Sequence, residues 1–263
     1  MGRVAVDVLE LAENANTFTP LGSGEQRLQD PRYVVYLGRS RQPWSTVVQR
    51  LRLEPGSVEE TVREVRDLLR RFERPSSTWE IGSSATPADL GERLERLGLV
   101  PVSDPDVLGM VLSEPPPPAP AEVEVRPVSS ADDYRAALEV MHEAFEVPEE
   151  AAAAELAAAG ETFARWDTSP DSLLYLAWLN GEPVAAARAT FTEHGAVLNA
   201  GSTRRDTRGR GAYRALVAAR WDEAVKRGTP ALITQAGAQS APILKRLGFR
   251  EVARIRILLD EAS

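Results

Sequence analysis

The chain contains no cysteine. That excludes disulfide frameworks, thiolate metal sites and a cysteine nucleophile. Histidine is almost as scarce: His142 and His194 are the two imidazoles, too few for a zinc site, so no metal is expected. Lys226 and Lys245 are the only lysines among 31 basic residues. No apolar stretch approaches the length of a membrane span. The start, Arg3 followed by Val4-Ala5-Val6-Asp7-Val8, is too short in apolar residues and too acidic for a secretory signal. The expectation is a cytoplasmic protein with no membrane partner. The net charge of −8 leaves it short of the basic face that nucleic-acid binding requires. The same charge steers cations, amines among them, toward the surface.

What is present points elsewhere. The 263 residues are 43% hydrophobic, enough for two ordinary domains with sizeable cores. Pro115-Pro116-Pro117-Pro118-Ala119-Pro120 divides them, because consecutive prolines favour an extended, semi-rigid spacer. The expected organisation is a first domain over residues 1–113, a linker over 114–121 and a second domain over 122–263. Val123 to Val128 alternates like a strand, and Ala131 to Phe145 has helical spacing. The alanine-rich segment Glu149 to Ala164 predicts one further helix. Leu173 to Leu179, Pro183 to Thr192 and Ala196 to Thr203 read as strands, the first two joined by the hairpin dipeptide Asn180-Gly181.

A Gly/Arg turn follows the last of these strands: Arg204-Arg205-Asp206-Thr207-Arg208-Gly209-Arg210-Gly211-Ala212-Tyr213-Arg214. A helical pattern then runs to about Arg227, with Tyr213, Leu216, Val217, Trp221, Ala224 and Val225 expected on its inner face. Glycines allow close approach of the backbone to a ligand, and a helix N-terminus carries unpaired amides and partial positive charge. Strand, Gly/Arg turn and helix together suit a diphosphate. The turn lacks G-x-x-x-x-G-K-[ST], so it is no nucleoside-triphosphate loop. Arg214 stands where the third glycine of G-x-G-x-x-G belongs, so the dinucleotide fingerprint fails as well. An RNA-binding Arg-Gly tract would repeat and lack a helix behind it; this one does neither.

Arg208-x-x-Gly211-x-Tyr213 resembles the R-x-x-G-x-G/A loop of the GNAT acyltransferases. Leu198 to Thr203, Ala231 to Gln235 and Pro242 to Phe249 resemble that family's fourth strand, fifth strand and closing helix with its Leu-Gly-Phe end. The resemblance spans roughly residues 122–259. It implies an α/β fold of the α+β kind, a mixed central sheet flanked by helices. Its activity would be transfer of an acetyl group from acetyl-CoA to a small-molecule amine. Arg208, Gly209, Arg210, Gly211, Ala212 and Tyr213 would hold the diphosphate. Gly201, Ser202 and Thr203 would line the pantetheine arm, although Gly201 equally suits a β-bulge with no ligand. The tyrosine that commonly protonates the leaving thiolate is replaced by Leu244, and the asparagine seven residues before it by Gly237. Ser240 is the nearest hydroxyl one turn earlier, or else a turn serine. Asn199 could position the amine or a water. A non-catalytic acyl-CoA-binding or regulatory module stays open beside the enzyme, as does a different acyl donor.

The first half echoes the second. Arg32 to Leu37, Thr46 to Leu53 and Trp79 to Gly82 predict strands, and Ser57 to Phe72 a helix with a capping-box start. Leu94, Leu97 and Gly98 match Leu244, Leu247 and Gly248. Its strand-to-helix turn, Leu53-Glu54-Pro55-Gly56-Ser57, has no arginine and a carboxylate, so this half is expected to be a degenerate GNAT-like domain in tandem with a functional one. After Phe249 one strand remains, about Glu251 to Leu259. The first half is expected to cover or complete the sheet edge there. Nothing in the sequence specifies an oligomeric state.

Overall fold

The computed structural model describes residues 6–164 and 170–261. The first half runs α1 (Val6–Glu13), β1 (Gln26–Gln29), β2 (Val34–Leu37), β3 (Thr46–Gln49), α2 (Val58–Arg71), β4 (Ser77–Ile81), α3 (Leu90–Arg96), β5 (Val100–Pro101) and β6 (Val107–Leu112). The second half runs β7 (Val123–Pro127), α4 (Ala131–Phe145), α5 (Glu149–Ala157), α6 (Ala159–Ala164), β8 (Ser172–Leu179), β9 (Glu182–Thr192), β10 (Gly195–Thr203), α7 (Ala212–Lys226), β11 (Leu232–Ala236), α8 (Ala241–Arg246) and β12 (Arg250–Asp260). Among the described residues no helix is long and apolar enough to cross a membrane.

Two compact units result, and neither is a continuous stretch of chain. The first takes the chain up to Val111 together with residues 235–245 and the segment from Arg250 onward; the second takes Leu112–Thr234 and Arg246–Phe249.

In the first unit β1, β2 and β3 form an antiparallel meander, and β3 pairs in parallel with β4. The last strand of the protein, β12, pairs antiparallel with β4 along Arg256 to Asp260. Its other edge takes β6 along Arg250 to Ile255 and β5 at Leu258 and Leu259. The edge of the closing strand is thus covered by first-half strands, which removes an open template for aggregation. Trp79, Val62, Val65, Leu69, Leu90, Leu94 and Leu258 fill the core between sheet and helices. The capping box at Ser57 does not form: its side chain makes no cap bond and instead donates to the Glu54 carbonyl at 3.0 Å. A serine hydroxyl beside a proline turn finds that carbonyl sooner than a helix amide.

The second unit carries an antiparallel run β7-β8-β9-β10, with β11 parallel to β10. Asn180 (φ 54°) and Gly181 (φ 83°) make the β8–β9 turn, both left-handed as a type I′ hairpin requires. Tyr134, Ala137, Val140, Leu174, Leu176 and Ala186 pack α4 onto the sheet. Ser130 caps α4 by accepting the Asp133 amide at 3.1 Å. The single helix expected over 149–164 is two, broken at Ala158, whose amide bonds back to Ala154 and Leu156 as a C-cap. Propensity favoured helix throughout, but an alanine run has no large apolar stripe to keep it straight.

The internal echo holds in backbone detail. Arg50 and Ala200 share a φ of 53° just past the parallel pairings Val48↔Trp79 and Val197↔Ile233. Gly98 and Gly248 close their helices at φ 95° and 98°. With Arg50 aligned on Ala200, the pairing Val47↔Thr78 matches Val197↔Ile233, and Gln235 holds in the second half the place that Glu80 holds in the first. The halves part at the strand-to-helix turn. Residues 50–57 make it in the first half and residues 204–211 in the second, but the stretch leading into α2, Glu54-Pro55-Gly56-Ser57, has one glycine, a carboxylate and no arginine.

Candidate functional site

The second unit builds its site where β10 leaves the ladder. The parallel pairing with β11 stops at Val197. The next link between these strands is a side chain: the Thr234 hydroxyl donates to the Leu198 carbonyl at 3.1 Å. On the other edge the register with β9 slips between Asn199 and Ser202, a β-bulge holding Ala200 and Gly201. A bulge leaves its extra residue unpaired and bends the strand. Asn199 is exposed at the start of this bulge, opposite Arg188. Ser202 is buried, and its hydroxyl donates to the Ala186 carbonyl at 3.1 Å, so its side chain fastens β10 to β9. Thr203 is partly exposed, and its carbonyl accepts from Arg208 Nε at 3.4 Å.

Gly201 is glycine for a second reason. A Cβ there would come within 2.8 Å of the Tyr213 ring. That ring reaches from the first turn of α7 onto the bulge. Behind it lies Arg220, 1% exposed, with its guanidinium 5.9 Å from the ring centre. Arg220 donates to the carbonyls of Leu216 (2.9 Å) and Arg188 (3.3 Å), and Nη2 has no partner. Burial pulls its pKa down, and the Tyr213 hydroxyl opposes that. Sequence periodicity missed Arg220, since a charged residue at an inner position carries no apolar signal. The same periodicity put Val225 inside, yet it is 49% exposed. Consecutive residues are about 100° apart on the wheel, and Ala224 takes the inward place.

The α7 entrance has the makings of an anion cradle. Gly209 and Gly211 have φ of 78° and 84°, and Gly211 is the N-cap with no side chain capping the helix. The amides of the first turn, from Ala212, Tyr213 and Arg214, have no carbonyl four residues back within the helix. A Cβ on Gly211 would lie 2.4 Å from Pro120, so the end of the proline run packs against this turn.

The five arginines of the turn divide. Arg204 faces Glu143 at 3.8 Å, the Arg205 amide binds Glu143 at 3.0 Å, and the Arg205 side chain pairs with Glu146. These two fasten the loop to the end of α4. Arg208 and Arg210 are exposed. Arg214, half-buried one turn into α7, has an Nε with no partner and reaches within 3.4 Å of a Cβ on Gly211. Arg214 joins Arg208 and Arg210 as the cations facing the turn.

Ser240 lies in the first unit. Its hydroxyl donates to the Gly237 carbonyl at 3.3 Å, the bond of a turn that opens α8. Leu244, one turn on, is 2% exposed. No group of three or more metal-ligating side chains occurs among the described residues.

No family model matches the chain, and no curated protein matches it in sequence. Solved structures do match in shape. A GCN5-related N-acetyltransferase from Kribbella flavida superposes with a TM-score of 0.71 at 19% identity, over 99% of this chain and 96% of that one. One from Sphaerobacter thermophilus gives 0.62 at 18%, over 97% and 91%. A tandem GNAT protein from the clavulanic acid biosynthesis pathway gives 0.61 at 15%, over 100% and 90%. At these identities the likeness speaks for the backbone, and it spans both halves. The fold of this chain is that of the GCN5-related N-acetyltransferases in their tandem form.

Proposed function

We propose that the protein is an acetyl-CoA-dependent N-acetyltransferase acting on a small-molecule amine, with the cofactor held by the second unit. One observation carries the reading. The uncapped, glycine-lined entrance of α7 follows directly on a bulged strand edge whose ladder with β11 has ended. An anion-binding turn and a free β-edge in sequence suit a ligand with a diphosphate at one end and an amide-bearing arm at the other. The groups present fit that ligand: Gly209 to Tyr213 by main chain, and Arg208, Arg210 and Arg214 by charge. The orphaned Nε of Arg214 is the clearest vacancy for an anion. Residues Gly201 to Thr203 would pair with the arm.

The cofactor would bring an activated acyl thioester; the chain supplies position and proton handling. Asn199, exposed beside the bulge, would orient the amine or a water. Ser240 or water would return a proton to the leaving thiolate, whose ordinary pKa near 8–9, by analogy with cysteine, makes water adequate near neutrality. In the first unit the residues leading into α2, 54–57, carry a carboxylate and no arginine for a diphosphate, so one cofactor per chain is proposed. Steady-state release of free CoA with a panel of amines tests the activity. Binding of acetyl-CoA without turnover on any amine would leave a regulatory module.

A further inference from the structure

Glu80 projects from β4 in the first unit, at the first position past the parallel pairing Val48↔Trp79. Its Oε2 accepts from the Gln235 side-chain amide at 3.3 Å. Gln49 is fully buried beside it. With the Gln49 carbonyl accepting the Thr17 amide at 2.8 Å and the Asn16 amide at 3.1 Å, its nitrogen donates to the same Oε2 at 3.3 Å. Two amides therefore hold one carboxyl oxygen and leave the other for a ligand.

Among the described residues no cation pairs with this carboxyl. Arg50 and Arg52, which follow β3, are engaged by Glu10 at 3.2 and 3.5 Å. Arg256 on β12 is engaged by Glu92 and Glu95. Glu13, the last residue of α1, accepts the Ser84 amide at 3.0 Å. Glu80 is surrounded deeply enough that desolvation pushes it up to about 7 against the opposing pull of Gln235. Yet it keeps solvent-accessible surface. A carboxyl that is deep, reachable and without a counter-ion among the described residues is a site awaiting a cation.

We infer that Glu80, Gln49 and Gln235 form a binding site for a primary ammonium group within the first unit. The chemistry selects the ligand. A diphosphate or carboxylate is repelled by Glu80. A metal ion lacks further ligands, since no metal-ligating group of three occurs among the described residues. A guanidinium prefers both carboxylate oxygens, and one is already held by amides. An ammonium needs a single strong acceptor and a polar wall. The internal echo gives the same sense: the position that is Gln235 in the second half has become a carboxylate in the half whose turn lost its anion-binding residues. When the ammonium enters, the neutral carboxyl releases its proton to solvent and the pair is left charge-balanced.

The test is a pH titration by carbon-13 NMR of protein labelled in its glutamate side-chain carboxyls, without cofactor. The Glu80 resonance is identified by its loss in Glu80→Gln, or in Glu80→Asp if the first variant fails to fold. The expected midpoint is about 7 in the free protein. Added n-butylamine should lower it by about one to three units, the effect of an opposite charge at contact. Tetramethylammonium chloride at equal ionic strength, which has no N–H, should not. A midpoint indifferent to n-butylamine overturns the site. Adding acetyl-CoA then separates two sources of the amine. Acetylation of n-butylamine, with KM raised at least about ten-fold in Glu80→Gln, makes it the acceptor. Binding without acetylation makes it an effector. The titration needs no cofactor, so failure of the proposed acetyl transfer would leave its result standing.

Discussion

Arg66 on α2 grips Asp260 near the chain's end with two hydrogen bonds of 3.0 Å each, Nε to Oδ2 and Nη2 to Oδ1. A third bond joins Arg66 to the Leu97 carbonyl at 3.1 Å. Asp260 is 1% exposed. The pair ties the last strand to the first unit's helix. Arg66→Ala removes two charge-assisted hydrogen bonds from a buried carboxylate, which should cost about 3–5 kcal/mol in urea unfolding. A loss below about 1 kcal/mol would reduce the pair to a surface ornament.

The division of arginines predicts opposite outcomes in one loop. Arg208→Ala should weaken CoA binding about ten- to a hundred-fold, the worth of charge-assisted hydrogen bonds to a phosphate. Arg205→Ala, whose partner is Glu146, should leave affinity within about two-fold while loosening the loop. Gly211→Val should do most damage, because φ 84° is strained for a side chain and Pro120 occupies the space. Calorimetry on the three variants decides; equal affinities would dismiss the turn as the cofactor site.

Stoichiometry follows from the chemistry of the first turn. Titration with CoA should saturate at one per chain. Two equivalent sites would contradict the loss of anion chemistry at Glu54-Pro55-Gly56.

Ser240 donates to the Gly237 carbonyl, so water remains an alternative proton source. Ser240→Ala should lower kcat by no more than about a hundred-fold. Leu244→Tyr places a larger ring in a buried position and should cost about 1–3 kcal/mol of stability. Profiles of kcat against pH, with melting curves for both variants, check this. Complete loss of turnover in Ser240→Ala at unchanged CoA affinity would make the serine essential.

Glu80 also predicts a pH dependence of stability. Its folded pKa of about 7 lies above the ordinary 4.5, so the native state holds the proton more tightly than the unfolded chain. Stability should fall as pH rises from about 4.5 to 7 and level off above, by on the order of 3 kcal/mol at most. Glu80→Gln should flatten that segment of the urea-midpoint curve. An unchanged slope would show the carboxyl to be solvated.

The sequence determined the periodic elements of the second half and the Gly/Arg turn, because those signals are local. Asn180-Gly181 demands left-handed backbone, and Gly211 before an amphipathic run marks a helix entrance. The duplicated Leu-Gly ends at Gly98 and Gly248 were legible for the same reason. Tertiary structure decided the rest. That β12 lies between β4 and β6, that Arg204 and Arg205 serve α4 while Arg214 faces the turn, and that Glu80 meets Gln49 and Gln235 all depend on contacts between residues distant in the chain. Hydrophobic pattern tells which face of an element is buried but not what it is buried against. A polar residue inside, such as Arg220 or Glu80, is invisible to that pattern until the fold supplies its partners.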